Sequence, residues 1–203
     1  MLNDQSLRSR GKVNFFYNWN GAKMKMTLRE VNVDELQILI NLYEKYAYEW
    51  SQYVPEDVNE FGLYCDERYD FDCFMQADRK CIAYFIEADD KLAGFALIHD
   101  MPEVTDEKID YCLCDFFVMH KYRRLGIGRK AVFEIFDRQR GRWHLYYSPK
   151  NTASAYFWGK AIDEYMAGQY RLVKSHPQCI YSDGTLGDAV FFDNTEREKS
   201  HSA

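Results

Sequence analysis

The stretch DYCLCDFFVMHKYRRLGIGRK, residues Asp110–Lys130, decides how the rest of the chain is interpreted. Apolar and aromatic side chains occupy both alternating positions of Tyr111–Met119, which is typical of a strand that is buried on both faces. A basic loop follows and ends in Gly126-Ile127-Gly128. Apolar residues then recur at helical spacing as far as Phe136, and Gly141 is suited to end the helix. The stretch therefore predicts a strand, a basic loop and a helix N-terminus, in that order.

A glycine-containing loop at the start of a helix is suited to bind an anion. The first N–H groups of a helix have no acceptor within the helix, and the helix dipole adds partial positive charge there. Gly126 and Gly128 let a ligand approach the backbone, because no Cβ stands in the way. The side chains of Arg123, Arg124 and Arg129 can neutralise phosphate charge. The loop therefore predicts a pyrophosphate site.

Two phosphate-binding patterns compete for this loop. Residues Gly126–Ala131 fit the dinucleotide pattern G-x-G-x-x-A. However, basic residues separate these glycines from the strand, and no acidic residue stands about 20 positions further on. Residues Arg123–Gly128 fit R-x-x-G-x-G and follow Phe116-Phe117-Val118 directly. The second pattern is the better match, and a nucleotide-binding oxidoreductase is the disfavoured alternative.

The R-x-x-G-x-G segment, with its preceding strand and following helix, resembles the acetyl-coenzyme-A signature of the GNAT superfamily of N-acetyltransferases. Locally, DFFVMHKYRRLGIG (115–128) is similar to polyamine acetyltransferases, and GRWHLYYSPKNTASAYFWGKAI (141–162) resembles an uncharacterised bacterial branch of predicted acetyltransferases. The similarity covers roughly residues 26–194 and is strongest over 110–162. It implies an α/β (α+β) GNAT fold, with a central, mixed and twisted sheet of about six to seven strands flanked by about four helices.

The resemblance also implies a reaction and a coenzyme site. The reaction is acetyl transfer from acetyl-CoA to a primary amine by direct attack on the thioester, with no metal. The expected coenzyme contacts are Phe116, Phe117, Val118, Arg123, Arg124, Leu125, Gly126, Ile127, Gly128, Arg129, Asn151 and Trp158. For Asn151, capping of the following helix is a second role that is compatible with the first. A non-catalytic acyl-CoA-binding protein of the same fold is the alternative function.

Asp115 is the one carboxylate within the apolar strand. Burying an ionised carboxylate costs several kcal/mol unless it is paired or hydrated. This placement favours a general base, and a structural Asp that is bonded to backbone N–H groups or an arginine is the alternative. The residue before it is Cys114, where the polyamine enzymes have Glu, so polyamine specificity is not implied. The N–H groups of Phe117 and Val118 are expected to face the oxyanion.

The proton donor for the leaving thiolate is the second catalytic assignment. The family's Tyr, seven residues after Asn151, is replaced by Trp158, and an indole does not donate a proton at neutral pH. Tyr156 and Tyr165 are the nearest tyrosines, and we assign Tyr156 to this role together with Asp115 as base. Water, or departure of an unprotonated thiolate, is the alternative.

The remainder of the chain predicts one domain. Residues 1–25 form a polar leader that contributes little to the fold, 26–194 form the GNAT domain, and 195–203 form a polar tail. The segment Ser51–Ala77 is rich in acidic residues, and is either a solvated connection or an acidic lip that attracts a cationic amine. Strands are expected at 26–31, 80–87, 92–99, 111–119, 142–147, 169–174 and 189–192, and helices at 33–50, 127–140 and 152–166.

The composition of the chain limits the classes of partner that it is expected to bind. With 203 residues, 47% of them hydrophobic, the chain is long enough to bury one good core. A net charge of −6 argues against binding nucleic acid. The six cysteines include no C-x-x-C pair and no His spacing that indicates zinc, so reduced thiols, no metal and a cytoplasmic location are expected. No apolar run is long enough for a membrane span. The expected partner is a small-molecule amine, and a homodimer is left open.

Overall fold

One mixed seven-stranded sheet forms the centre of the molecule. The computed structural model of the protein describes residues 24–64, 71–75, 81–101, 103–104 and 107–197. Within these residues, the strands are β1 (Met26–Glu30), β2 (Ile82–Ala88), β3 (Lys91–His99), β4 (Tyr111–Val118), β5 (Arg142–Tyr147), β6 (Arg171–Val173) and β7 (Asp188–Asp193). The α-helices are α1 (Leu36–Trp50), α2 (Ile127–Arg138) and α3 (Thr152–Met166). The strand order is β1-β2-β3-β4-β5-β7-β6.

This architecture confirms the mixed α/β sheet that the sequence predicts. Three α-helices are present in the described part, where about four were expected, and three short 3₁₀ turns accompany them. Strands β1 to β4 pair antiparallel, and β4 pairs parallel with β5 because α2 carries the chain back across the sheet. A two-residue turn, Asp89 and Asp90, joins β2 and β3 in a hairpin, and both residues have positive φ (48° and 57°). Short polar residues such as Asp tolerate this conformation.

The sheet separates two apolar layers. On one face, α1 packs its Leu39 against Phe85 and Phe95, and all three side chains are fully buried. On the other face, α2 and α3 cover a larger cluster that contains Phe136 and Trp143. Burying each such side chain contributes about 1.5–3 kcal/mol. Burial on both faces explains why the sequence of the central strand β4 is almost continuously apolar.

A β-bulge at Cys114 interrupts the alternation of β4. Asp115 pairs with Leu97, whereas Leu113 pairs with Ile98, so Cys114 is the extra residue on β4. As a result, Leu113 and Phe116 both pack on the α2–α3 side of the sheet. Strict alternation predicts opposite faces for these two residues. That prediction is wrong because a bulge inserts one unpaired residue and shifts the side-chain parity beyond it.

A second bulge lies beside Gly94 in β3, where Ala93 is the extra residue between the Ile86–Gly94 and Glu87–Leu92 pairs. A Cβ built on Gly94 would lie 1.9 Å from the carbonyl oxygen of Phe117. Glycine is therefore required at this position. The backbone of β4 therefore approaches β3 too closely at this residue for any side chain to fit.

An aspartate and an arginine join the starts of β4 and β5. The carboxylate of Asp110 accepts hydrogen bonds from the backbone N–H of Arg142 at 2.9 Å and from its guanidinium at 2.8 and 2.7 Å. In the reverse direction, the N–H of Asp110 donates to the carbonyl of Arg142 at 2.9 Å. We call this four-bond contact the Asp110–Arg142 clamp. It fixes the register of the parallel pair at its first residues.

The ends of the described chain are packed. Met24 contacts the α2–α3 core, and the N–H of Lys25 donates to Asp89 at 2.9 Å. The rest of the predicted leader, residues 1–23, lies outside the described residues. Arg197, which was assigned to the polar tail, lies 3.9 Å over the ring of Tyr165. Residues 198–203 of that tail also lie outside the described residues.

Two further findings concern the whole described chain. None of its helices is both long and apolar enough to cross a membrane. Its five cysteines are free thiols, and four of them are buried. The sixth cysteine, Cys65, falls in a segment that is not described.

We predict that Gly94→Ala destabilises the protein by about 1–3 kcal/mol, the range typical of overpacking. The added Cβ would contact backbone atoms of β4, which cannot move without opening the β3–β4 pairing. Denaturant titration measures the loss. The matched control is Gly159→Ala in α3, where a Cβ meets nothing within 4 Å, and this change should be neutral or stabilising. Equal stability of the Gly94→Ala variant and the parent would contradict the requirement for glycine at this position.

Candidate functional site

The parallel strands β4 and β5 separate after only two residue pairs, Tyr111–Trp143 and Cys112–His144. Beyond these pairs, the strands diverge and leave a cavity of about 230 Å³ between them. The cavity is lined by Tyr43, Tyr46, Trp50, Leu113, Cys114, Asp115, Phe116, Leu145, Tyr146, Tyr147, Asn151, Ser154, Trp158 and Tyr181.

The backbone of β4 turns alternate N–H groups toward this cavity. Met119 donates its N–H to the carbonyl of Ala93 at 2.8 Å. In an antiparallel ladder, the N–H of Phe117 then points toward β3 as well, whereas those of Phe116 and Val118 point toward β5. The expectation that the N–H of Phe117 faces the oxyanion is therefore wrong. Phe116 and Val118 present the amides that a ligand in the cleft can reach.

Asp115 stands at the cavity wall with only 9% of its surface exposed. The hydroxyl of Tyr46, from α1, makes a hydrogen bond to this carboxylate. Burial, and then the negative charge of Asp115, raise the pKa of Tyr46 well above its ordinary value. Tyr46 is therefore a neutral hydroxyl donor at pH 7. The structure thus couples the predicted base to a phenol that was not singled out from the sequence.

A second phenol and carboxylate pair lies beside the first. Tyr146 lines the cavity, and its hydroxyl bonds to Glu103. Burial raises the pKa of Tyr146, of Tyr181 and of Glu103. These residues were not foreseen as site residues, because Glu103 and Tyr181 come from connecting segments whose position follows only from the fold.

The assignment of Tyr156 as proton donor is contradicted. Its side chain is 72% exposed and does not line the cavity. It lies two positions before Trp158 in the helix, and this spacing turns its side chain by about 200° to the other side of α3. Tyr165 is buried elsewhere, and its hydroxyl donates to Asp137 at 2.9 Å. The proton donor must therefore be sought among the cavity tyrosines or water.

The other two predicted residues of α3 reach the cavity. Asn151 is the helix cap, as expected, because its side-chain oxygen accepts from the N–H of Ser154 at 2.9 Å. It also lines the cavity, so both expected roles are compatible with the structure. Trp158 is 6% exposed, and its ring packs edge-on to Phe116 at 5.3 Å.

The loop after β4 presents a run of unbonded amides. Arg124 and Gly126 both adopt left-handed conformations, with φ of 62° and 77°. Among the described residues, the N–H groups of residues 124–129 find no acceptor, and Lys130 is the first to donate, to Gly126 at 3.1 Å. Successive free N–H groups in such a loop, at a helix N-terminus, form an anion-binding concavity.

The three predicted arginines have different roles. Arg123 holds Glu49 of α1 with two bonds of 2.6 and 2.7 Å, and its Nε donates to the carbonyl of Val118. Arg123 therefore anchors the loop and is not free to bind phosphate. Arg129 forms an exposed ion pair with Glu164, and such a pair is weak enough for Arg129 to leave Glu164 and bind a phosphate. Arg124 is exposed and makes no ion pair within the described part of the chain.

The remaining predicted loop residues shape the backbone. Leu125 packs against the α2–α3 core, and Ile127 is fully buried in it. A Cβ on Gly128 would lie 3.4 Å from the ring of Phe157, so glycine gives α2 and α3 room to approach.

Comparison with known proteins agrees with this geometry. The family model described as "Acetyltransferase (GNAT) family" matches residues 36–162. No curated protein sequence matches the chain.

Solved structures of low sequence identity share the fold. The PaiA N-acetyltransferase of Thermoplasma acidophilum, in complex with coenzyme A, is 12% identical with a TM-score of 0.52; the match covers 84% of this chain and 99% of that one. An acetyltransferase of Thermus thermophilus is 15% identical (TM-score 0.56; 83% and 97% covered). A spermidine N-acetyltransferase SpeG chimera from Vibrio cholerae and hSSAT is 11% identical (TM-score 0.54; 84% and 96% covered).

The family match spans more than half of the chain and includes the divergent strands, the amide-rich loop and the helix cap. The chain therefore belongs to the GNAT family and is an N-acetyltransferase that uses acetyl-CoA.

Proposed function

We propose that this enzyme transfers the acetyl group of acetyl-CoA directly to the primary amine of a small, cationic molecule, with Asp115 as the base. The observation that carries the proposal is the position of Asp115. It follows a bulge at the point where β4 leaves β5, beside the free edge of β4 and within the cavity. A carboxylate is costly at such a buried position, and a catalytic use accounts for it.

The proposed coenzyme position follows from the free backbone groups. The pyrophosphate occupies the concavity formed by the N–H groups of residues 124–129, with Arg124 as the available counter-charge. The pantetheine arm lies along the open edge of β4 and meets the N–H groups of Phe116 and Val118. Asn151 and Trp158 form the opposite wall. This path leads the thioester to Asp115.

The proposed chemistry has two proton transfers. Asp115 accepts one proton from the incoming ammonium, which gives a neutral amine able to attack the thioester carbon. The C–N bond forms and the C–S bond breaks, while strand N–H groups stabilise the oxyanion. The second N–H proton then passes to the departing thiolate through a cavity hydroxyl or water. Tyr46 is the best-placed hydroxyl, because it is neutral and already bonded to Asp115.

The expected cationic acceptor is supported by the charges around the cavity. Asp115 lies in its wall, and Glu103 is bonded to the cavity residue Tyr146. Glu56, the first acid of the acidic segment, accepts a hydrogen bond from Ser182 at 3.2 Å, next to the cavity residue Tyr181. Residues 65–70 and 76–77 of that segment lie outside the described residues.

We predict that coenzyme A raises the melting temperature of the protein and that Gly126→Val abolishes this rise. A β-branched residue is strained at φ 77°, so the loop must change shape. Gly62→Val is the matched control, because Gly62 has φ 74° and equally open surroundings away from the loop. Thermal unfolding with and without coenzyme A measures both variants. A rise that persists in Gly126→Val would contradict the proposed pyrophosphate position.

We predict that Asp115→Asn lowers kcat by roughly 10²–10⁴-fold, the usual contribution of a general base. The amide keeps the shape of the carboxylate but cannot accept the ammonium proton. The coenzyme-induced rise in melting temperature should be unchanged, which separates a catalytic loss from a binding loss. Asp163→Asn, on the exposed surface of α3, serves as control. Full activity of Asp115→Asn with a confirmed acceptor would show that Asp115 has a structural role and is not the base.

We predict turnover with cationic amines in a thiol-release assay, and spermidine, lysine-like amines and aminoglycosides are the first to test. The negative cavity should favour them over neutral amines of the same size, and added salt should reduce that preference. Turnover of neutral or anionic acceptors alone would show that the acidic residues do not select the substrate. Coenzyme binding without thiol release from any amine would instead favour an acyl-CoA-binding role.

A further inference from the structure

Three side chains of the types that bind metals stand in one row across the sheet. His99 of β3 pairs with Cys112 of β4, and Cys112 pairs with His144 of β5. Residues that pair directly across neighbouring strands project to the same face of the sheet. The two rings and the thiol are therefore neighbours on one face, at the residues where β4 and β5 are still joined.

Glu103, from the connection between β3 and β4, completes the group. A ring nitrogen of His99, the Cys112 sulfur and a Glu103 carboxylate oxygen all lie within 4.8 Å of one another. His99 Nε2 and Glu103 Oε1 are 3.9 Å apart. In a tetrahedral zinc site with bonds of about 2.0–2.3 Å, ligand atoms are roughly 3.3–3.7 Å apart. The Glu103 side chain is 31% exposed, so its rotation can bring the carboxylate oxygen to this shorter distance from the other two ligand atoms.

The neighbouring His144 is an independent sign of a polar ligand. Its ring is completely buried and lies near the backbone of Val190, and among the described residues neither ring nitrogen makes a hydrogen bond of normal geometry. The Nδ1 atom of His99 also lacks one. A buried polar group without a partner costs about 1–3 kcal/mol, and an ion in a native protein is one explanation of such a group.

We propose that His99, Glu103 and Cys112 bind a divalent transition metal ion of the zinc class, with His144 beside the fourth position. Imidazole, thiolate and carboxylate together suit Zn²⁺, whereas Mg²⁺ and Ca²⁺ prefer oxygen ligands alone. The partial exposure of Glu103 and His99 provides an entry path. Binding releases the proton of the Cys112 thiol, because the thiolate is the ligand.

The site would be linked to the acceptor cavity through Glu103. Its carboxylate accepts a hydrogen bond from Tyr146, which lines that cavity. Carboxylates that bind metals are commonly held by such outer hydrogen bonds. The ion would thereby fix the β3–β4 connection and orient Tyr146, and this role does not depend on which amine is the acceptor.

The test is metal binding by the full chain after treatment with a chelator. We expect the protein to bind one Zn²⁺ or Co²⁺ per chain by calorimetry, and the Co²⁺ form to show a thiolate charge-transfer band. Cys112→Ala should remove this band, and Cys112→Ala and Glu103→Gln should each weaken Zn²⁺ binding by at least about 100-fold, the upper effect of outer-shell changes. Zn²⁺ should raise the melting temperature of the parent but not of Cys112→Ala or Glu103→Gln, and Mg²⁺ should not bind.

Two matched controls accompany these variants. Cys81→Ala removes a buried thiol from the α1 side of the core, and Glu107→Gln removes a carboxylate from the same β3–β4 connection. Both should bind Zn²⁺ like the parent. If Cys112→Ala fails to fold, Glu103→Gln still tests the proposal, because its side chain is partly exposed. A parent protein that binds no Zn²⁺, or equal binding by all four variants, would overturn the proposal.

Discussion

The separation of β4 from β5 is the constraint on which the rest of the structure depends. A buried strand edge carries N–H and C=O groups that must find partners. Here β4 is covered on both faces, yet beyond Cys112 its β5 side is unpaired. A ligand that lies along this edge satisfies groups that no strand satisfies. The interior of the fold therefore contains a surface of unpaired backbone groups that can bind a ligand. The loop and the helix that follow β4 add further free N–H groups to this surface.

The two carboxylates at the cavity are stabilised by hydrogen bonds from neutral hydroxyls and are not neutralised by a positive charge. Asp115 is bonded to the Tyr46 hydroxyl, and Glu103 to the Tyr146 hydroxyl. An arginine at either position would neutralise the carboxylate, whereas a neutral phenol only solvates it. By contrast, the arginine next to the coenzyme loop, Arg123, is neutralised by Glu49. The arrangement keeps negative charge at the Asp115 end of the cleft and open amides at the N-terminus of α2.

Local patterns predicted most of the fold, and long-range contacts account for what they missed. The order of strands and helices follows from periodicity, and the N-terminus of α2 follows from its glycines. The bulge at Cys114 could not be predicted, because it depends on pairing with β3. The role of Arg123 was missed because its partner Glu49 lies 74 residues away. Tyr46 was not predicted as a site residue, because only the fold brings it to Asp115.

The short seam between β4 and β5 has a consequence for motion. Within the described chain, the β1–β4 half of the sheet and the β5–β7 half are joined by two residue pairs and the Asp110–Arg142 clamp at one end. Twisting one half against the other about this seam changes the width of the cleft and breaks no strand hydrogen bond. Few strand hydrogen bonds therefore resist a change in the width of the cleft, and the packing of the α2–α3 core against both halves of the sheet is what holds that width.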